Sequence, residues 1–315
     1  MRRSEKQPIP SRTGTTGGVQ SPFELSAPEW KETARRTFKE IKDDRVTMAA
    51  AAMAYYWFLA VFPALIAAVG LVGLFNVGPG LLENLTGGVK DILPGDAGNV
   101  LADALKNAEG QGQRASLVAA IIGVAVALWS ASSAMVALQG GLDVAYDVSS
   151  ERSRKFLKKR LIAFGLIVAT AVLGGAASAL IVFGEPLGEV VRKALPFGEL
   201  FVPLWTALRV IATILAIAVL FAVFYYLGPN RESPRWRWIS PGGVAGALIW
   251  LLASLAFSFY VSSFGSYGKT YGSVAGVVLL ILWLYLSALA VLVGGELNAE
   301  LERQAAMSRQ RGDTS

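Results

Sequence analysis

Residues 274–295 carry no charge, and apart from their aromatic residues their one polar side chain is Ser287. At about 1.5 Å per residue the run makes a helix of roughly 33 Å, which matches a hydrocarbon core of roughly 30 Å and exceeds what an ordinary buried helix needs. The chain is therefore expected to live in a bilayer. Tyr271-Gly272-Ser273 precedes the run and Glu296-Leu297-Asn298 follows it, so chemistry brackets the span at both ends.

Long apolar runs occur six times, at about 48–75, 115–138, 161–184, 202–227, 241–264 and 273–295, each long enough to cross. The predicted fold is all-α, a polytopic membrane protein of six transmembrane helices. A composition of 54% hydrophobic and 17% charged residues agrees, being displaced toward apolar relative to soluble domains. Loop charge orients the spans. The predicted tails and the loops on their side of the membrane hold 22 Lys and Arg against 6 on the other side, with Arg152-Ser153-Arg154-Lys155 in the second of these segments. Positive charge accumulates on the cytoplasmic face, so both termini are expected in the cytoplasm. The net charge of +6 thus reflects topology, and no basic run points to nucleic acid. Aromatic residues fit the same frame, with Tyr225, Tyr226, Trp236 and Trp238 expected at the inner interface and Trp205, Tyr260, Tyr267 and Tyr271 at the outer one.

Four regions follow. Residues 1–25, rich in Ser, Thr, Gly and Pro, read as a disordered cytoplasmic tail. Residues 26–47 read as an amphipathic interfacial helix: Ser26-Ala27-Pro28-Glu29 has capping-box spacing, and Trp30, Ala34, Phe38 and Ile41 recur at helical spacing among Lys and Arg. The six-helix domain covers 48–300, and 301–315 form a second cytoplasmic tail. Between the first two spans, residues 76–114 alternate turn signals with apolar positions and suit two short amphipathic helices.

Cys and His are absent, which removes disulfides, thiolate nucleophiles, the usual zinc ligands and the commonest general base. No metal site, catalytic residue or cofactor is expected. The candidate site residues are instead polar groups at membrane depth. Arg209 lies seven residues into the fourth span, where a guanidinium either reaches the outer headgroups, pairs with Glu185, Glu189 or Glu199, or grips a substrate phosphate bidentately. Gln139, Asp143, Tyr146 and Asp147 after span two, Asn230 after span four, and Glu296 with Asn298 after span six share the inner face, and suit a gate or vestibule. Tyr271 and Ser273 sit at the outer mouth. Glu296 is expected at the interface, where ionisation is affordable. The glycine pairs 140–141, 174–175, 242–243 and 294–295 suit close helix approach, as does the small face at Ser130, Ser132 and Ser133, while Pro63 predicts a kink in the first span.

Several fragments in order resemble the BrkB/YihY family of bacterial inner-membrane proteins, long labelled ribonuclease BN: Ala54-Tyr55-Tyr56 with Phe62-Pro63, Trp129-Ser130-Ala131-Ser132, Tyr146 ahead of Phe156-Leu157-Lys158-Lys159-Arg160, Pro229-Asn230, and above all Tyr271-Gly272-Ser273 with Glu296-Leu297-Asn298. The likeness runs over most of residues 48–300. Asp143 stands where that family usually shows Asn. The resemblance implies a six-span inner-membrane protein with a part in lipid or solute transport. The nuclease label fits poorly, since a metal-dependent ribonuclease needs clustered ligands and this chain's acidic residues are dispersed. The expected function is transport or flipping of a lipid or other amphipathic anion, with membrane lipids as partners. A membrane scaffold without transport is the alternative, separated by whether Arg209 and Glu296 tolerate substitution.

Overall fold

The computed structural model describes residues 26–74, 113–149, 154–194, 198–231, 241–263 and 273–312. Every regular element among them is helical. The expected tail 1–25, the loop helices within 76–112 and Tyr271 lie outside the described residues.

Helix α1 (Ala27–Asp43) starts where the capping-box spacing predicts, the Glu29 carboxylate accepting from both the backbone N–H (2.8 Å) and the hydroxyl (2.7 Å) of Ser26. Its buried face is threonine: Thr33 and Thr37 donate to carbonyls four residues back, so no polar hydrogen is stranded. Phe38 on the apolar stripe stays exposed.

Helices α2 (Val46–Leu74) and α3 (Gln113–Ala145) follow. Pro63 lies inside α2 without ending it. The third span is longer than its apolar run: α4 (Phe156–Ala169) passes through a π-helical turn, Thr170–Gly174, into α5 (Gly175–Ala194), which continues through Pro186. The next helices are α6 (Gly198–Leu227), α7 (Pro241–Ser263) and α8 (Ser273–Gly312). The last of these also departs from expectation. It continues as helix past Gly295, because Glu296 to Ala305 face packed protein on a regular helical stripe, with Asn298, Leu301 and Ala305 buried. Among the described residues, six helices are long and apolar enough to cross a membrane.

The described residues fall into two compact units. One comprises those of Met1–Ala49, Gln139–Leu251 and Leu289–Ser315; the other those of Ala50–Leu138 and Leu252–Ala288. In the second unit Trp57 donates its indole N–H to the Ala134 carbonyl (3.2 Å), on the small-residue face the sequence singled out, and Ser132 and Ser133 bond back to the Trp129 carbonyl. In the first unit the packing turns on three glycines and one tyrosine. A Cβ on Gly242 would lie 2.9 Å from the Asn298 nitrogen, and one on Gly294 would lie 2.7 Å from the Gly242 carbonyl and 2.9 Å from Gly246 Cα. The backbones of α7 and α8 touch there, which only a missing side chain permits. Tyr225 fills the remaining notch. It is 1% exposed and donates to the Val291 carbonyl (2.8 Å), so it is a core residue of the bundle and not the interfacial anchor its flanking position suggested. Gly140 and Gly175, by contrast, face no described atom within 4 Å of a built Cβ.

Candidate functional site

Two polar constellations occupy opposite ends of α6 in the first unit, separated by about 27 Å of helix between Arg209 and Leu227.

The first gathers the sequence-predicted inner-face residues around two arginines. Arg154 donates to the Leu227 carbonyl (3.1 Å), the Gly228 carbonyl (2.8 Å), the Pro229 carbonyl (2.7 Å), Gln139 Oε1 (3.1 Å) and Asn230 Oδ1 (3.2 Å). It therefore caps the C-terminus of α6, where the last carbonyls of any helix lack intrahelical donors and a cation complements the helix dipole. Gln139 passes the chain of bonds on, donating to the Lys159 carbonyl (3.1 Å), and Asp143 Oδ1 accepts the Asn230 backbone N–H (2.7 Å). Asp143 thus has a role that needs an acceptor. Burial pulls the Arg154 guanidinium below its ordinary range, opposed by the Asp143 carboxylate, yet arginine stays cationic.

Beside it, Arg231 lies over the Tyr146 ring (4.4 Å to the centroid), donates to the Tyr225 carbonyl (2.6 Å) and pairs with Glu302 (2.7 Å). Asn298 donates to the Tyr146 hydroxyl (2.9 Å) and to Glu302 (3.0 Å). Burial, reinforced by the nearby Glu302 carboxylate, pushes the Tyr146 phenol above its ordinary value, while Arg231 and the Asn298 bond oppose the shift. The phenol is neutral at physiological pH. Asp147 and Glu300 both pair with Arg303. Glu296 is 1% exposed, so packing removes it from the water that its interfacial position promised.

Of the predicted inner-face residues, Gln139, Asp143 and Asn230 meet at Arg154, and Tyr146 meets Asn298. Arg154, Arg231 and Glu302 were missed as site residues, since the sequence marks Arg154 and Arg231 only as loop charge. The signal for Arg154 is its place just before a span, opposite a helix ending in Gly228-Pro229.

The second constellation centres on Arg209. Gly184 and Gly188, one turn apart on α5, form a trough for Arg209 and Trp205, one turn apart on α6. A Cβ on Gly184 would run into the Arg209 side chain, and one on Gly188 would stand 2.9 Å from Trp205 Nε1. The indole N–H donates to the Gly184 carbonyl (2.6 Å), and Phe201 stacks on the ring at 5.8 Å. These contacts open a cleft of about 240 Å³ lined by Glu185, Gly188, Glu189, Trp205, Thr206 and Arg209, among others. Arg209 Nη1 is buried with no hydrogen-bond partner. Among the described residues Arg209 makes no ion pair: Glu189 pairs with Arg192 (2.9 Å), and the Glu199 side chain is outside the described residues. Tyr271 is also outside them, and Ser273 begins α8 with its side chain undescribed. The legible signal for this trough is Gly184 and Gly188 at i, i+4 facing Trp205 and Arg209 at i, i+4.

The fold and these two constellations define a multi-pass α-helical integral membrane protein. The chain matches the family described as Virulence factor BrkB over residues 37–314, and it belongs to that family. It is 32% identical over 254 residues to the putative ribonuclease-like protein YfkH of Bacillus subtilis (strain 168), covering 81% of this chain and 89% of that one. It is 28% identical to the UPF0761 membrane protein Smlt0865 of Stenotrophomonas maltophilia (strain K279a), covering 86% of this chain and 63% of the relative. It is 30% identical to the UPF0761 membrane protein Nmul_A0452 of Nitrosospira multiformis, covering 57% and 40%. No solved structure matches the chain.

Proposed function

We propose that this protein moves an amphipathic anion, a lipid or a lipid-like solute, across the bacterial inner membrane, with both termini in the cytoplasm. The observation that carries the reading is Arg209: a guanidinium within a membrane span, held over a glycine trough, with a buried Nη1 that no group among the described residues satisfies. Leaving a buried donor unmade costs about 1–3 kcal/mol, more for a charged group, so a ligand oxygen that completes it is favoured. Exposed Phe183, Leu187, Leu204 and Leu208 flank the cleft with apolar surface suited to an acyl chain. The 22-to-6 asymmetry of loop charge supports this orientation, in which the cleft faces the outer leaflet.

The reading is non-enzymatic. The name of the Bacillus relative describes that protein as ribonuclease-like; here, among the described residues, no three of His, Cys, Asp and Glu group so as to hold a metal ion. The test is reconstitution in liposomes with fluorescent phospholipids and soluble organic anions. Protein-dependent movement that falls about tenfold in Arg209→Ala supports transport. Silence of folded wild-type protein across lipids and solutes moves the assignment to a scaffold, and RNA cleavage lost in Glu296→Gln overturns the non-enzymatic reading.

A further inference from the structure

A simple anion site would surround its cation with neutral donors. This cleft does not: two carboxylates, Glu185 and Glu189, line it together with Arg209, Trp205 and Thr206. Glu189 already has a cation in Arg192, an exposed pair of the kind water screens readily, whereas Glu185 pairs with no described residue. We infer that the cleft is a binding site for a dipolar headgroup, one phosphate and one ammonium joined by a short linker, as in a phosphoethanolamine lipid. In that arrangement the phosphate takes Arg209 Nη1, a geometry guanidinium suits through paired donors. The ammonium meets the Glu185 carboxylate and the Trp205 ring, whose tilt is fixed by its hydrogen bond to Gly184 and by the Phe201 ring stacked on it, and an indole attracts cations. A purely anionic headgroup would set its charge beside the Glu185 carboxylate and bring no cation to meet it.

Size agrees. At about 240 Å³ the cleft lies below the roughly 300–1,000 Å³ of sites that engulf whole drug-sized ligands, so it holds a headgroup and leaves the tails against the exposed leucines of α5 and α6.

The inference refines the transport reading but is tested without flux. Full-length protein in detergent is titrated with phosphatidylethanolamine and phosphatidylglycerol of identical acyl chains, and retained lipid is counted by native mass spectrometry. Soluble glycerophosphoethanolamine is added as a competitor. We expect the ethanolamine lipid to bind about tenfold more tightly than the glycerol lipid. Glu185→Gln should erase that preference by weakening the ethanolamine lipid and tightening the glycerol lipid, and Arg209→Ala should weaken both. Equal or tighter binding of phosphatidylglycerol by wild type, or an undiminished preference in Glu185→Gln with an unchanged melting profile, overturns it. Full competition by the soluble headgroup supports the same chemistry with a solute as its source. Preference without flux leaves this site standing and sinks transport; flux without preference does the reverse.

Discussion

The two ends of α6 both present arginine to a helix-rich environment, and they treat it oppositely. At Arg154 the guanidinium meets five acceptors, three of them carbonyls at and just beyond the end of α6. At Arg209 a glycine trough holds the side chain in place while Nη1 finds nothing. A satisfied buried charge is structure, since removing it strands its partners. An unsatisfied one is a standing cost that a ligand can relieve. The residues around Arg154 therefore read as a clamp on helix ends, and the proposed ligand site lies around Arg209, about 27 Å along the same helix.

Substitutions can break that contrast, and the largest effect is expected at the clamp. Arg154→Ala should lower stability by about 3 kcal/mol, because several buried acceptors lose a charged donor at once, seen as a large fall in the melting temperature in detergent. Arg154→Lys should recover little of it, since a compact ammonium cannot span the same fork. An unaltered melting profile would remove the clamp from the comparison. Next comes Gly294→Ala, whose Cβ meets the Tyr225 hydroxyl and the α7 backbone; overpacking of this kind costs about 1–3 kcal/mol. Adding Tyr225→Phe to Gly294→Ala should cost less than the sum of the two changes, and strict additivity would mean that the contact is not shared. Tyr146→Phe and Asn298→Ala each interrupt one bond of the network and should cost about 1 kcal/mol, again less than additively together. Least affected is Arg209→Ala, within about 0.5 kcal/mol of wild type in stability while losing ligand binding. A large destabilisation there would make Arg209 a second structural arginine and dissolve the contrast.

How much of this was legible in the sequence differs from residue to residue. Spans emerged from apolar length alone, because a bilayer of fixed thickness imposes a length on every crossing helix. Gln139, Asn230, Tyr146 and Asn298 were identified as one set from their shared depth, and the structure joins them in two bonded groups. The hub was not identified: Arg154 contributes to a charge count like any loop arginine, and only the arrival of residues 227–230, more than seventy positions away, gives it acceptors. Tyr225 illustrates the same limit, since an aromatic near a span end looks identical whether it faces headgroups or a notch between glycines. Gly242 and Gly294 were flagged for close approach along with Gly140 and Gly175, and the sequence offered no way to tell which had a partner helix.

By itself, then, the sequence determined what depends on one dimension: the membrane environment, the helical class and the position of each apolar span. The depth of Arg209 belongs with these, being a matter of counting along one helix. Tertiary structure alone decided which charges are satisfied. Hydrogen-bond satisfaction is a property of pairs brought together from distant parts of the chain, and in a low-dielectric interior that pairing separates Arg154, with its five acceptors, from Arg209, whose Nη1 has no partner among the described residues.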